Sequence, residues 1–289
     1  MAPDTTRPLR WRRISDEELG FSRMNLIHIL SPSPDPYLSA AIELDAAPLK
    51  RLVEDVRRES GRRVSLTHVA NKLLAAAIAE NPAFNQVVLD DRIYEMETVD
   101  ITNPLLLPGD NHVLTAIIID EPHRRSLPDI FDEFERLKNE AVEHYGATNF
   151  PPTDRRVKFL IRSRLYKLIP ERVRFRVMYQ RGLSTNVVLT NAAYRGEAKF
   201  LITKNATHIM RAITRVFLHG TVTRPVKIEG QWHEREVLPL AVTFDHRLID
   251  GYHLNKFALS LERLVADAGN LKSSNPPPPA MGRTASRLS

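Results

Sequence analysis

The sequence predicts an α+β domain built on a mixed β-sheet flanked by helices. Three observations carry that reading. Stretches with apolar residues at alternate positions and stretches with apolar residues three and four apart occur in the same chain. They do not follow one another in the regular strand–helix–strand order of a doubly wound parallel sheet. And 289 residues, 43% hydrophobic and 26% charged, are enough to bury a substantial core.

Residues 1–36 are expected to form an irregular arm. They are Arg-rich at 10–13 and end in Ser31-Pro32-Ser33-Pro34-Asp35-Pro36, where fixed φ angles and missing N–H donors oppose helix and central strand alike. The domain proper is placed at 37–270. Tyr37 to Asp45 reads as a strand; Leu49, Leu52, Val53 and Val56 then fall at helical spacing, with Gly61 as the stop. A second helix starts near Ser65 or Thr67, carries Val69, Leu73, Ala76 and Ala77 on one face, and ends at Asn81-Pro82. Short strands at Gln86–Leu89 and Arg92–Met96 flank a turn at Asp90-Asp91, and Val113–Ile119 makes a longer one. Ser126 with Asp129 three residues on is a helix start, and Ile130, Phe134, Leu137 and Ala141 are its buried stripe.

Asn186 to Thr190 is a further strand. Val226–Ile228 and the residues from Trp232 form a hairpin around Glu229-Gly230. Leu238, Leu240, Val242 and Phe244 alternate as a strand, and Leu254, Phe257, Ala258, Leu261, Leu264 and Val265 mark the last helix. The tail 271–289, with four consecutive prolines at 276–279, is expected to be disordered.

Composition excludes several chemistries. There is no cysteine, so disulfides, thiolate nucleophiles and cysteine metal sites are all ruled out. No apolar run approaches the roughly 20 residues that cross a bilayer. Met1 to Arg13 is polar and basic, so no secretory signal is expected and a cytoplasmic location is. Scattered histidines such as His68, His112 and His253, without i, i+4 pairing or nearby acids, make no case for a metal.

The net charge of +6 is unevenly spread. Between Arg155 and Arg181 ten Lys and Arg residues face one acid, Glu171, leaving the rest of the chain slightly acidic. This basic insertion, 155–181, reads first as an amphipathic helix followed, after Pro170, by a strand in which Val173, Phe175 and Val177 alternate with Arg172, Arg174 and Arg176. A peripheral contact with anionic membrane is the second reading. Charges gathered around the phosphates of a nucleotide-bearing ligand are the third. Nucleic acid comes last, since few aromatics interleave there and no binding fold is evident.

The chemistry concentrates in Asp245-His246-Arg247-Leu248-Ile249-Asp250-Gly251. A histidine follows a buried strand directly, an acid lies four residues later, a glycine follows the acid, and an amphipathic helix begins there. A side chain on such a corner is aimed rather than loose. A neutral imidazole near pH 7 suits the removal of a proton from an attacking thiol, hydroxyl or amine.

The HxxxDG pattern within Leu240-Ala241-Val242-Thr243-Phe244-Asp245-His246-Arg247-Leu248-Ile249-Asp250-Gly251 resembles the catalytic domain of the dihydrolipoamide acyltransferases, the E2 components of 2-oxoacid dehydrogenase complexes. Arg224-Pro225-Val226, Gly230 and Glu234-Arg235 are similar to the hairpin before that motif. Val64 to Asn85, with Asn81-Pro82-Ala83-Phe84-Asn85, is similar to the family's early helix, and Val99-Asp100-Ile101 and Leu127 to Ala141 align in order. The resemblance spans 37–267.

It implies a chloramphenicol-acetyltransferase-like fold, a homotrimer or higher assembly with sites between subunits, and coenzyme A or an acyl-CoA as substrate. It implies catalysis without a covalent enzyme intermediate: His246 as base, Asp250 holding the loop through an arginine, and Thr190, in a stretch Val188-Leu189-Thr190-Asn191 similar to the family's Thr-Val-Ser-Asn, as oxyanion donor. Asn191 and Gly251 would be structural at the site, and no metal is implied.

Three departures stand beside this. No lipoyl domain or covalently attached lipoyl group is expected in the first 36 residues. The family's Ser-Asn-Leu-Gly reads Thr190-Asn191-Ala192-Ala193, and Leu201 to His219 lacks the usual Asn-Pro-Pro. The acyl group and its acceptor are therefore left open. A non-catalytic scaffold or assembly subunit of the same fold, docked on membrane through its basic segment, is the alternative.

Overall fold

The computed structural model describes residues 9–31, 36–106, 114–145, 168–180, 187–191, 213–228 and 230–274. Its elements are β1 (Trp11–Arg13), α1 (Asp16–Leu30), β2 (Tyr37–Asp45), α2 (Ala46–Ser60), α3 (Leu66–Glu80), β3 (Gln86–Leu89), β4 (Arg92–Met96), β5 (Ile101–Leu106), β6 (Leu114–Ile119), α4 (Leu127–Tyr145), α5 (Glu171–Gln180), β7 (Val187–Asn191), β8 (Thr214–Leu218), β9 (Val222–Ile228), β10 (Gln231–Asp245) and α6 (Gly251–Ala266).

Seven strands form the main sheet in the order β2-β10-β8-β7-β5-β6, with β9 paired to the far half of β10. The pairs β5/β7 and β7/β8 are parallel and the others antiparallel, so the sheet is mixed as expected. A second, small sheet runs β1-β4-β3.

Strand periodicity sorts the main sheet into two faces. Ile42 and Leu44 of β2, Ile101 of β5, Ile117 and Ile119 of β6, Val187 and Leu189 of β7, and Val216 and Leu218 of β8 are all buried in one core. That core also holds Leu49, Leu52 and Val56 of α2, Leu73, Leu74 and Ile78 of α3, and Phe257, Leu261 and Leu264 of α6. On the opposite face Ser39, Val188, Thr190, Arg215, Phe217 and Ile118 are only half-buried. One face is thus packed under helices and the other is incompletely covered.

Capping residues place the helices. Gly61 ends α2 with φ 68°, a left-handed conformation that a β-carbon would strain. Ser126 accepts from the Asp129 amide at 3.2 Å and donates to its carboxylate at 2.6 Å, opening α4. Asp90 and Asp91 both take positive φ, 49° and 57°, in the two-residue turn between β3 and β4.

Four expectations are corrected. Residues 9–31 are not irregular: Ser15 caps α1 by accepting from Glu18, and Ile14 and Ile27 enter the core. A low apolar asymmetry and a kink at Gly20 (φ 70°) hid this helix from pattern reading. The Val173/Phe175/Val177 segment is a helix, α5, and not a strand. Its buried residues are Phe175 and Tyr179, four apart; Phe175 stacks against Trp11, and both pack in one cluster with Tyr94 and Met96. The tail is ordered through 274: Leu271 is fully buried, the Lys272 carbonyl accepts from the Leu127 amide, and the Lys72 ammonium binds the Arg125 and Ser273 carbonyls. Finally, β5 and β8 were not foreseen as strands. The helix expected over the first part of the basic insertion (155–167) and the tail beyond 274 lie outside the described residues.

Candidate active site

The HxxxDG segment lies where β10 ends. Its strand is held on one side by β2, with Asp245 opposite Tyr37, and on the other by β8, with Phe244 opposite Thr214. The His246 amide then donates to the Pro36 carbonyl at 2.7 Å, which anchors the corner to the start of β2.

Asp245 and Arg247 form a forked ion pair with contacts of 2.6–3.2 Å, and both side chains are 8% exposed. Burial opposes the Arg247 charge, but the Asp245 carboxylate outweighs it and holds the guanidinium pKa above its ordinary value. Flanking His246 on both sides, this pair makes the corner stiff.

The ring of His246 is half-buried, and its Nδ1 lies 2.8 Å from the Ile249 carbonyl oxygen. A carbonyl only accepts, so Nδ1 carries the proton in this bond and donates it. In the neutral ring Nε2 is then the lone-pair nitrogen. The backbone has selected the tautomer and the orientation a base needs.

Asp250 does not touch that ring. It caps α6, accepting from the His253 amide at 3.1 Å, and binds Arg23 of α1 at 3.0 Å and the His253 ring at 2.6 Å. Burial works against its ionisation, but the bonds from His253 and Arg23 prevail and push its pKa down to about 2. Arg23 also reaches the Arg247 carbonyl at 3.4 Å. The arginine implied for Asp250 is therefore Arg23, in the very segment expected to be irregular. His253 was given no role from sequence; its position three residues after Asp250 was the available signal. Gly251 has no positive φ, and a β-carbon there would meet nothing within 4 Å of this chain.

Thr190 and Asn191 close β7 at the other end of the sheet. Phe244 is level with Thr214 and Val187, and His246 lies two residues further along, beyond the start of β7. From there Thr190 is five residues along and two strands across, roughly 20 Å by strand rise and spacing. General-base and oxyanion groups act within about 3 Å of the reacting atoms. One chain thus joins His246, Asp250 and Gly251, and holds Thr190 and Asn191 apart from them.

Beside Asn191, on the helix side, lies a cavity of about 450 Å³. Lys50, Arg57, Ser65, Thr67, Asn191 and His219 are among the residues that line it; neither His246 nor Thr190 does. Lys50 is paired with Glu236 at 2.5 Å, and Arg57 donates to the Val64 carbonyl at 2.6 Å. Among the described residues there is no cluster of three His, Asp or Glu side chains placed to hold a metal ion. His68 serves the fold: its Nδ1 accepts from the Ser65 amide at 3.0 Å, and burial among Phe131 and Phe134 pushes its pKa down to about 4. His112 lies outside the described residues.

Comparison with known proteins gives a coherent result. Residues 191–272 match the model of the 2-oxoacid dehydrogenases acyltransferase catalytic domain. A 50-residue stretch is 42% identical to the mitochondrial dihydrolipoyllysine-residue succinyltransferase component of the 2-oxoglutarate dehydrogenase complex of Saccharomyces cerevisiae. That match covers 17% of this chain and 11% of the yeast protein. Among solved structures, a probable dihydrolipoamide acetyltransferase from Listeria monocytogenes superposes with a TM-score of 0.59 at 18% identity, over 92% of this chain and 96% of that one. The dihydrolipoamide acetyltransferase of Azotobacter vinelandii gives 0.60 at 18%, over 86% and 88%. A chloramphenicol acetyltransferase gives 0.54 at 17%, over 88% and 99%. The likeness in fold runs through nearly the whole chain, and the family model's match, 191–272, includes the HxxxDG corner.

Proposed function

From a chain related through residues 191–272 to the acyltransferase catalytic domains of the 2-oxoacid dehydrogenases, and in fold to their solved cores, we propose a CoA-dependent acyltransferase whose general base is His246. The observation that carries this is the bond from His246 Nδ1 to the Ile249 carbonyl, which leaves Nε2 as the basic nitrogen on a stiff corner.

That geometry supports the following course of reaction. Nε2 removes the proton from a thiol, hydroxyl or amine as it attacks the thioester carbonyl. The carbonyl oxygen takes the electron pair, and the Thr190 hydroxyl donates to it. Collapse expels the CoA thiolate, which recovers the proton from the imidazolium. No covalent bond to the protein forms.

Because His246 and Thr190 of one chain stand so far apart, the working site pairs His246 of one protomer with Thr190 of another in a homotrimer. The half-exposed sheet face that carries Thr190 is the surface a second copy would cover. The cavity at the Asn191 end, edged by Lys50, Arg57 and His219 beside apolar side chains, suits the pantetheine and phosphates of CoA.

Purified His246→Ala is expected to stay folded and trimeric while releasing no CoA from any member of an acyl-CoA panel that the parent protein turns over. The drop should be at least 10²-fold, on the order of what one acid–base group contributes. Full turnover by that variant would return the chain to a non-catalytic scaffold.

A scaffold docked on anionic membrane remains the second reading, favoured by one observation. The outer side of α5 carries Arg172, Arg176, Val173 and Val177, the valines 43% exposed, and Leu168 just before it is 81% exposed. Cationic and apolar groups together on one face are what a charged bilayer surface binds.

A further inference from the structure

Under the end of β7 runs a chain of side-chain amides and hydroxyls that the proposed mechanism has not used. Asn191 Nδ2 donates to the Thr67 hydroxyl of α3 at 2.8 Å. One turn on, Asn71 Nδ2 donates to the Thr67 carbonyl at 2.9 Å. Asn71 and Asn103 of β5 exchange a reciprocal pair of amide bonds, each 2.9 Å, and Asn103 also donates to the Ile101 carbonyl at 3.3 Å. Both amides are buried, Asn71 fully and Asn103 to 2% exposure, in a largely hydrophobic core. Buried amides must be fully bonded to be tolerated, and once bonded they hold their elements in one register.

The location of this chain gives it meaning. The ladder between β7 and β5 stops at Val188, paired with Thr102, two residues before Thr190. Beyond it, among the described residues, the strand pairing of β7 continues with β8 alone, through Thr190 opposite Phe217 and Asn191 opposite Leu218. Thr190 thus sits on a strand end with one edge unladdered, which is poor support for a group that must hold an oxyanion. The Asn191–Thr67 bond ties that end to the first turn of α3, and the Asn71–Asn103 pair ties α3 back to β5. Side chains alternate along a strand, so the tether pulls on the helix side while the Thr190 hydroxyl projects on the other.

We infer that Thr67 is a positioning residue, which through Asn191 fixes the Thr190 hydroxyl where the developing oxyanion will lie. This rests on the oxyanion role proposed for Thr190. Thr67 need not touch the reacting atoms: displacing a donor by about 1 Å is enough to cost some 10²-fold in rate.

The test uses the full chain. Thr67→Val keeps the shape of the residue and removes its hydroxyl; Thr67→Ala also removes the hydroxyl, with a strong helix former, should the valine variant fold poorly. Either is expected to lower kcat about tenfold or more, a larger change than any rise in KM from the cavity wall that Thr67 also forms, and Thr67→Ser to restore kcat. In a Thr190→Ala background, Thr67→Val should cost nothing further, because residues acting as a unit are not additive. The crystal structure of Thr67→Val should show the Asn191 amide released and the Thr190 hydroxyl displaced from its parent position. A silent Thr190→Ala defeats the oxyanion role itself. An impaired Thr190→Ala beside a silent Thr67→Val, additive losses, or an unmoved Thr190 hydroxyl in the crystal would overturn the positioning role alone.

Discussion

At the residue scale the site is organised by partners that hold groups still. The Nδ1 of His246 is bonded to a backbone carbonyl, Asn191 beside Thr190 is tied to Thr67, and Asp250 is held by three donors from two helices. Asp250 makes a pH prediction with a definite sign. Its folded pKa, about 2, lies below the ordinary carboxylate value near 3.9. A depressed carboxylate stabilises the fold above its unfolded pKa, and that contribution disappears as pH falls through the folded pKa. Asn caps a helix as well as Asp, so Asp250→Asn isolates the charge from the cap. The variant should unfold at lower urea than the parent at pH 6, and the two midpoints should converge between about pH 4 and pH 2. A gap that persists undiminished to pH 2 would show that the charge of Asp250 is not what binds Arg23 and α6.

At the scale of elements, the sequence was most readable where local chemistry and tertiary packing agree. Gly61, Ser126, Asp90-Asp91 and the alternation of Leu238 to Phe244 each announce the element they make. It failed where packing overrides pattern. In α5 the alternation of Val and Arg is real but spans only a few residues, and burial of Phe175 and Tyr179 against Trp11 and Tyr94 decides for a helix. β5 contains Pro104, which argues against a central strand by itself, yet it pairs with β6 along its length. β8 is short and carries Arg215, and only its place between β7 and β10 makes it a strand. The Asp250 partner was unreadable for the same reason: Arg23 is distant in sequence, on a helix with almost no apolar stripe.

The outer face of α5 supplies this scale's prediction. If it docks on lipid, the parent protein should sediment with vesicles containing anionic phospholipid and not with neutral ones. Salt should weaken that binding, and replacing Val173 and Val177 by Ser should reduce it while leaving the thermal midpoint unchanged, since both are half out in water already. Equal sedimentation with neutral vesicles, or none with anionic ones, would leave α5 as a solvated helix.

At the scale of the whole molecule the decisive fact is a separation. His246 and Thr190, the proposed base and oxyanion donor, occupy opposite ends of one sheet, with β8 between their strands, and no side-chain rotation closes a gap of roughly 20 Å. Either the two never act together or they meet across a subunit boundary, and the alternatives differ in a way that needs no knowledge of the natural acceptor. His246→Ala and Thr190→Ala are each expected to be impaired as pure trimers. Coexpressed, they should form mixed trimers in which a site facing His246 from one protomer and Thr190 from the other is intact. Random mixing leaves about a quarter of sites with both native groups, because each is present in half of the protomers. Recovery of about that fraction of parental CoA release, from two chains nearly inactive alone, would be the signature of the shared site. If mixing restores nothing beyond the mean of the two parents, each chain must complete its own chemistry, and the pairing of these two residues is wrong.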